Sequence, residues 1–284
     1  MAVGAYVALV ALTTGHLPAT PARLCSHASP FIIPQPRAAA RMATPVHLSS
    51  RTTHSMIAQP RAAVTMTANV VVTDMDETLI SKKSTGYIIK FLFMYRAYIR
   101  LFFFLWIGAF LIPISKINRA LAVRCLYFMA FRGLRVDRAE AVAADQLAQL
   151  YITDLQDPAT SAVLSADESV VLTASPEFMA KPWLGQYLGV KPSNVYGARI
   201  GIRNGRFTGL LTEGLPIGER KVTLLDASPT CQSAGKGALT GYGDHPTDVP
   251  FLEACSKGIL VHELPEEQRG TCVYEPAVPF TGSL

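Results

Sequence analysis

"VVVTDMDETLI", Val70 to Ile80, decides how this chain is read. Val70, Val71, Val72 and Thr73 form a continuous β-branched run. A run with no polar alternation suits a strand buried on both faces, as in the middle of a parallel sheet. The run ends in two acids, Asp74 and Asp76, followed by Thr78. Carboxylates crowded at one strand end repel each other, so the fold must supply something that neutralises them.

Outward from that strand, read as Asn69 to Met75, the chain alternates between helical and strand-like stretches. Residues 81–164 carry apolar residues at helical spacing. Val170 to Thr173 is a second short apolar strand. "YGARIGIRNGRFTGL", Tyr196 to Leu210, alternates and holds Asn204-Gly205 between two runs, a hairpin signal. A helix opens at Gly218 to Leu225, and Ala238 to Gly243 and Gly258 to Val261 are two more strands. Strands alternating with helices predict an α/β fold with a mostly parallel sheet, whose ligands sit at the carboxyl ends of the strands.

The polar residues fall at those ends. Asp74 and Asp76 end the first strand, Thr173 and Ser175 the second, and Lys221 opens a helix. Asp244 and Asp248, in "GYGDHPTD", follow the strand Ala238 to Gly243. A single acid at a strand end is more often a turn residue or cap; four such deliveries to one edge are hard to explain that way. The set suits phosphoryl chemistry. A carboxylate attacking a phosphate dianion needs its charge offset, and oxygen ligands such as Asp suit Mg2+. A second carboxylate with a raised pKa donates and later accepts a proton. A hydroxyl and an ammonium hold the transferring oxygens. Ser175 reads as a helix N-cap before Pro176, with an aid to phosphate binding as the alternative, and His245 as a loop residue without a ligand role.

The motifs "DMDETL", "VVLTASPEF", "GERK" and "GYGDHPTD", in this order, resemble the four motifs of the haloacid dehalogenase superfamily over residues 69–262. The resemblance implies a Rossmann-like core with a helical cap inserted between the first two motifs. It implies Asp74 as nucleophile, Asp76 as general acid/base with its backbone carbonyl also reaching Mg2+, Asp244 as metal ligand and Asp248 in support of the metal site. Thr78, Thr173, Ala174 and Lys221 would bind phosphate, Thr78 also fixing the turn, and Asp74 would join Asp76, Asp244 and Asp248 at the metal. An acid at position 76 points to the phosphatases of that superfamily. The stretches "LTASPEFMAKPWLGQYLGV", "YGARIGIRNGRFTG" and "LPIGERKVTLL" also resemble the phosphatase-like N-terminal half of plant glycerol-3-phosphate acyltransferases and bacterial phosphoserine-phosphatase-like proteins. The chain has no His-x4-Asp acyltransferase pattern, so acyl transfer is not expected. Thr173-Ala174-Ser175 stands where phosphoserine phosphatases carry Ser-Gly-Gly.

Charge divides the chain into three. Five of its 26 basic residues and none of its 21 acids lie in 1–73, which leaves 21 of each beyond. The net charge of +5 therefore belongs to the leader, and no basic, aromatic-interleaved patch suggests nucleic acid. Val3 to Leu12 has signal-peptide h-region length, and an acid-free stretch rich in Arg, Ser, Thr, Ala and Pro follows it. Together they resemble a two-part plastid leader, with a mitochondrion or the endoplasmic reticulum membrane as alternatives. Residues 1–67 are read as leader, 68–80 and 165–284 as core, and 81–164 as cap. The five cysteines show no paired spacing and read as free thiols.

From Ser81 to Arg135 there are ten basic residues and no acid. Inside lies "LFFFLWIGAFLI", Leu101 to Ile112. As a helix of roughly 1.5 Å per residue it is too short to span a bilayer of roughly 30 Å, and Pro113 limits its continuation. It reads either as a buried cap helix or as a surface helix on an anionic membrane. The expected activity is a Mg2+-dependent phosphomonoesterase acting through an aspartyl phosphate, on a glycerol-based or lysophospholipid phosphate. A phosphoserine or other small-metabolite phosphatase, a phosphotransferase and an inactive membrane-binding relative are the alternatives.

Overall fold

The computed structural model describes residues 69–284; the leader and its plastid reading lie outside the described residues. In chain order the strands are β1 (Val70–Thr73), β2 (Gln156–Asp157), β3 (Glu168–Pro176), β4 (Val195–Ala198), β5 (Ile200–Arg203), β6 (Arg206–Leu211), β7 (Leu239–Gly243), β8 (Lys257–Leu260), β9 (Val273–Tyr274) and β10 (Val278–Pro279). Six of them form one parallel sheet in the order β4-β3-β1-β7-β8-β9. β1 is central, and all four of its residues are buried. Val71 and Val171 join one core with Met179 and Trp183, while Val70, Val72, Val170 and Leu172 join another with Leu225 and Phe251. Both faces are covered, which is why the run is continuously apolar.

Between β1 and β3 the chain leaves the sheet through α1 (Ser84–Met94), α2 (Tyr98–Ile117), α3 (Arg119–Phe131), α4 (Val136–Val142), a single π turn, α5 (Ala148–Ile152) and α6 (Ala159–Ser165). α6 packs against β1. Beyond β3 come α7 (Glu177–Leu188), α8 (Glu219–Ala227), α9 (Pro229–Ala234) and α10 (Val249–Glu253). From β1 the chain steps to β3 and β4 on one side, then crosses to β7 and β8 on the other. That reversal opens a crevice at the carboxyl end of β1, where open α/β sheets bind ligands.

Three expectations change. The predicted Tyr196–Leu210 hairpin divides: Val195–Ala198 pairs with β3 in the parallel sheet, and the hairpin is β5–β6. Its turn does fall at Asn204-Gly205, both with positive φ (51° and 70°), as a two-residue hairpin turn requires. Secondly, α2 does not stop before Pro113 but runs to Ile117. Proline removes one ladder hydrogen bond, yet one further turn forms and closes with Asn118 N–H on the Ile114 carbonyl, 2.8 Å. The Asn118 side chain then accepts from Leu121 N–H and caps α3. At 20 residues α2 is roughly 30 Å long, so the expected shortness does not hold. Thirdly, Ser175 is no cap: α7 starts at Glu177 without a side-chain cap bond, and the buried Ser175 hydroxyl donates to Asp76 instead. Among the described residues Cys125, Cys231, Cys255 and Cys272 are free.

Candidate active site

The register of β1 with β3 and β7 places three strand ends side by side. Asp74 N–H donates to the Tyr242 carbonyl at 2.9 Å, which sets Asp74 beside Gly243 and Asp244. A side chain at Gly243 would have its Cβ 2.8 Å from the Cβ of Asp248; only glycine lets Asp248 come so close. Lys221, at the start of α8, is buried and donates to Asp74 Oδ1 at 2.6 Å and Asp248 Oδ1 at 2.7 Å. Asp244 N–H reaches Asp248 Oδ2 at 3.4 Å, and Thr78 Oγ1 donates to Asp244 Oδ1 at 3.4 Å. Asp74, Asp244, Asp248, Lys221 and Thr78, from three separate stretches, therefore converge.

Their charges do not balance. Asp74, Asp244 and Asp248 each present a carboxylate oxygen within 4.8 Å of the others, and Lys221 is the one ammonium paired with them among the described residues. Burial pushes the Asp74 carboxyl well up, against the pull of Lys221 and with help from Asp248 and Asp244. Burial likewise raises Asp244 to about 7, aided by Asp248 and Glu77. Three hard oxygen donors with uncompensated negative charge fit a small divalent cation such as Mg2+. The Asp76 side chain is not part of this cluster.

A pH dependence follows from the raised carboxyls. A folded-state pKa above the unfolded 3.8 gives stability that is complete below the unfolded value and is lost as pH rises through the folded one. The metal-free protein should therefore show a Tm that falls as pH rises from about 4 toward and past 7, and Mg2+ should reverse the fall at the alkaline end. Calorimetry with and without chelator reads this directly. A metal-free Tm that climbs over that window would contradict the charge imbalance.

Asp76 is held separately. Its Oδ2 accepts from Ser84 N–H at 2.8 Å, and its Oδ1 from the Ser84 hydroxyl at 2.5 Å and the Ser175 hydroxyl at 3.2 Å. The two serine hydroxyls also bond each other. Burial raises the Asp76 carboxyl, while the Ser84 bonds oppose the rise. Ser84 opens α1, so the first cap helix itself orients this carboxyl. The turn beyond Asp76 is strained: Glu77 has φ 57°, a left-handed conformation costing a non-glycine residue about 1–2 kcal/mol. The Gln156 side chain holds it by donating to the Glu77 and Thr78 carbonyls at 2.6 and 3.1 Å. Ser84 and Gln156 carry no site signal in the sequence, and Ser175, placed at the strand end by the sequence, reads there as a cap.

On the β3 side, buried Thr173 Oγ1 accepts from Ser175 N–H at 3.1 Å, and the Ala174 carbonyl accepts from Tyr127 of α3 at 2.6 Å. Thr173, Ala174, Lys221 and the four aspartates line one cavity of about 530 Å³. Its floor is charged. Its opposite wall is apolar and comes mainly from the cap: Ile88, Leu111, Val123 and Leu126, with Ile217. Lys83, Arg119 and His245 also line it. His245 Nδ1 accepts from Thr247 N–H at 3.2 Å, a local turn bond.

Comparison with known proteins agrees with this geometry. The family described as haloacid dehalogenase-like hydrolase matches residues 71–253. The glycerol-3-phosphate acyltransferase RAM2 of Petunia hybrida is 31% identical over 150 residues, which cover 52% of this chain and 30% of that protein. The chain thus spans less than a third of that relative's length. Among solved structures, a HAD family hydrolase from Salmonella enterica serovar Typhi superposes with a TM-score of 0.51 at 16% identity, over 72% of this chain and 66% of that one. A probable phosphoserine phosphatase from Vibrio cholerae gives 0.54 at 13%, over 72% and 59%. A protein of unknown function from Bordetella pertussis gives 0.54 at 19%, over 69% and 90%. At these identities the likeness to the solved structures is one of fold.

Proposed function

Because the chain belongs to the haloacid dehalogenase-like hydrolases and is an enzyme with the fold of that family's phosphatases, we propose that it is a Mg2+-dependent phosphomonoesterase whose substrate joins a phosphate to an apolar chain through glycerol, a lysophospholipid such as lysophosphatidate. The observation that carries the reading is the two-sided cavity: aspartates and Lys221 on its floor, apolar cap side chains on its wall. A pocket of this size accommodates a headgroup and the first part of an acyl chain. The relative named for glycerol 3-phosphate supports the glycerol part.

The chain's own residues divide the work. An Asp74 oxygen attacks phosphorus; the new O–P bond forms as the bond to the substrate alcohol breaks. Asp76, whose carboxyl burial shifts upward against its serine bonds, acts as general acid and gives a proton to the departing alkoxide. Water then attacks the aspartyl phosphate, Asp76 takes the water's proton back, and phosphate leaves with the Asp74 carboxylate restored. The Lys221 ammonium and the Thr173 hydroxyl face the phosphoryl oxygens, and Ser84 and Ser175 fix the direction of the Asp76 proton. Mg2+ bound by Asp74, Asp244 and Asp248, with the Asp76 carbonyl, would offset the charge of the phosphate dianion.

The test compares kcat/KM for lysophosphatidate, glycerol 3-phosphate and phosphoserine. Each buried methylene is worth about 0.8 kcal/mol, so a few in contact with the wall should favour lysophosphatidate over glycerol 3-phosphate by about 100-fold. A preference for phosphoserine would overturn the substrate class.

A further inference from the structure

α2 has two apolar faces, and the fold covers one. Leu101, Phe104, Gly108, Leu111 and Ser115, spaced three and four apart, turn inward. Phe104 is fully buried, and Gly108, Leu111 and Ser115 line the reaction cavity. The opposite face carries Ile99, Phe102, Phe103, Trp106 and Phe110, all exposed; Phe102 is 63% and Trp106 52% accessible. These rings meet one another edge-on, Phe102 with Phe103 and Trp106 with Phe110. A contiguous exposed patch of large aromatics marks an interaction surface. The segment that carries it has one sign of charge: residues 78–136 contain no acid, and Arg96 and Arg124, flanking α2 in the chain, are exposed.

We propose that the outer face of α2 docks on an anionic lipid bilayer, with the helix lying in the plane of the interface. Aromatic side chains would enter the boundary between headgroups and acyl chains, and the arginines would reach anionic headgroups. A second copy of this chain would bring two basic, acid-free segments together, which like charges disfavour. By length and composition α2 is sufficient to cross a membrane, but its inner face is committed to the cap and to the cavity wall, and spanning would strip both. One helix then separates the bilayer from the reaction cavity, so a docked enzyme meets its substrate where lipid phosphates lie. The docking stands on the exposed face alone; the delivery of substrate rests on the lipid-phosphate reading above.

The chain's two tryptophans make the test direct. Trp183 is fully buried and stacked on Tyr151, so iodide quenching of the full chain reports on Trp106. Phosphatidylcholine vesicles containing phosphatidylglycerol should protect Trp106 from iodide, lipids brominated near the headgroup end of the acyl chain should quench it instead, and pure phosphatidylcholine should protect it less. The variant F102S/F103S/F110S should lose about 100-fold in partition to the anionic vesicles while hydrolysing water-soluble p-nitrophenyl phosphate at the wild-type rate. Iodide quenching unchanged by anionic vesicles would overturn the proposal. So would protection that rises with protein concentration alone, which means a second copy, or resistance to alkaline carbonate extraction, which means a spanning helix. Docking without turnover of lysophosphatidate would leave the surface standing and remove the substrate reading.

Discussion

Replacing Asp74 with asparagine should reduce turnover of any phosphomonoester by about 10⁴-fold or more without unfolding the protein. The carboxamide matches the carboxylate in shape but is no nucleophile, so no aspartyl phosphate forms. The fold should tolerate the change for a specific reason. Lys221 is bonded to both Asp74 and Asp248, so its buried ammonium keeps an anionic partner when Asp74 becomes neutral, and one of several mutually repelling carboxylates is removed. The measurement pairs single-turnover hydrolysis with thermal unfolding. Wild-type rates in well-folded Asp74→Asn would reject the nucleophile. Full loss of folding would instead mean that the Asp74–Lys221 pair outweighs the repulsion.

Chelation should be nearly as severe, with residual activity down by about 10³-fold or more and restored on adding Mg2+. The reason is electrostatic. A phosphate dianion entering the crevice meets Asp74, Asp244 and Asp248 with Lys221 as their one paired ammonium. Each like-charge pair at about 4 Å costs about 4 kcal/mol at an effective dielectric of 20. Two such pairs already exceed the loss expected. Dialysis against EDTA, followed by Mg2+ titration, makes the measurement, and undiminished activity in chelator would remove the metal from the mechanism. The structure also narrows which carboxylates respond. Asp76 is turned toward Ser84 and Ser175, so Asp248→Asn should weaken Mg2+ affinity more than Asp76→Asn does.

The site was legible to the extent that its chemistry lies at strand ends. Asp74, Asp76, Thr173, Asp244 and Asp248 each follow an apolar run, so strand periodicity alone places them on one edge, and the order of the runs marks them as a set. Lys221 was legible from its motif. Ser84 and Ser175 were not: they stand 91 positions apart, serine is common, and a serine before proline has an ordinary local use as a cap. Gln156 is hidden for the same reason, because its two carbonyl partners lie 78 and 79 positions back in the chain.

Other elements depended on partners that no local pattern names. Val195–Ala198 looks like half of a hairpin, and only the free edge of β3 draws it into the parallel sheet. β9, the sixth strand, is two exposed residues, too short for a periodic signal.

What the sequence by itself determined is the central strand, the alternation of layers, the acids at the strand ends and a cap rich in apolar and basic residues. These are local properties, written in side-chain type and spacing. Tertiary structure alone decided which serines aim Asp76, which carboxylates share Lys221, and which side of α2 is covered. A helix that is apolar all round has no preferred face of its own; packing against the cap and the cavity chose the inner one and left Phe102, Trp106 and Phe110 facing outward.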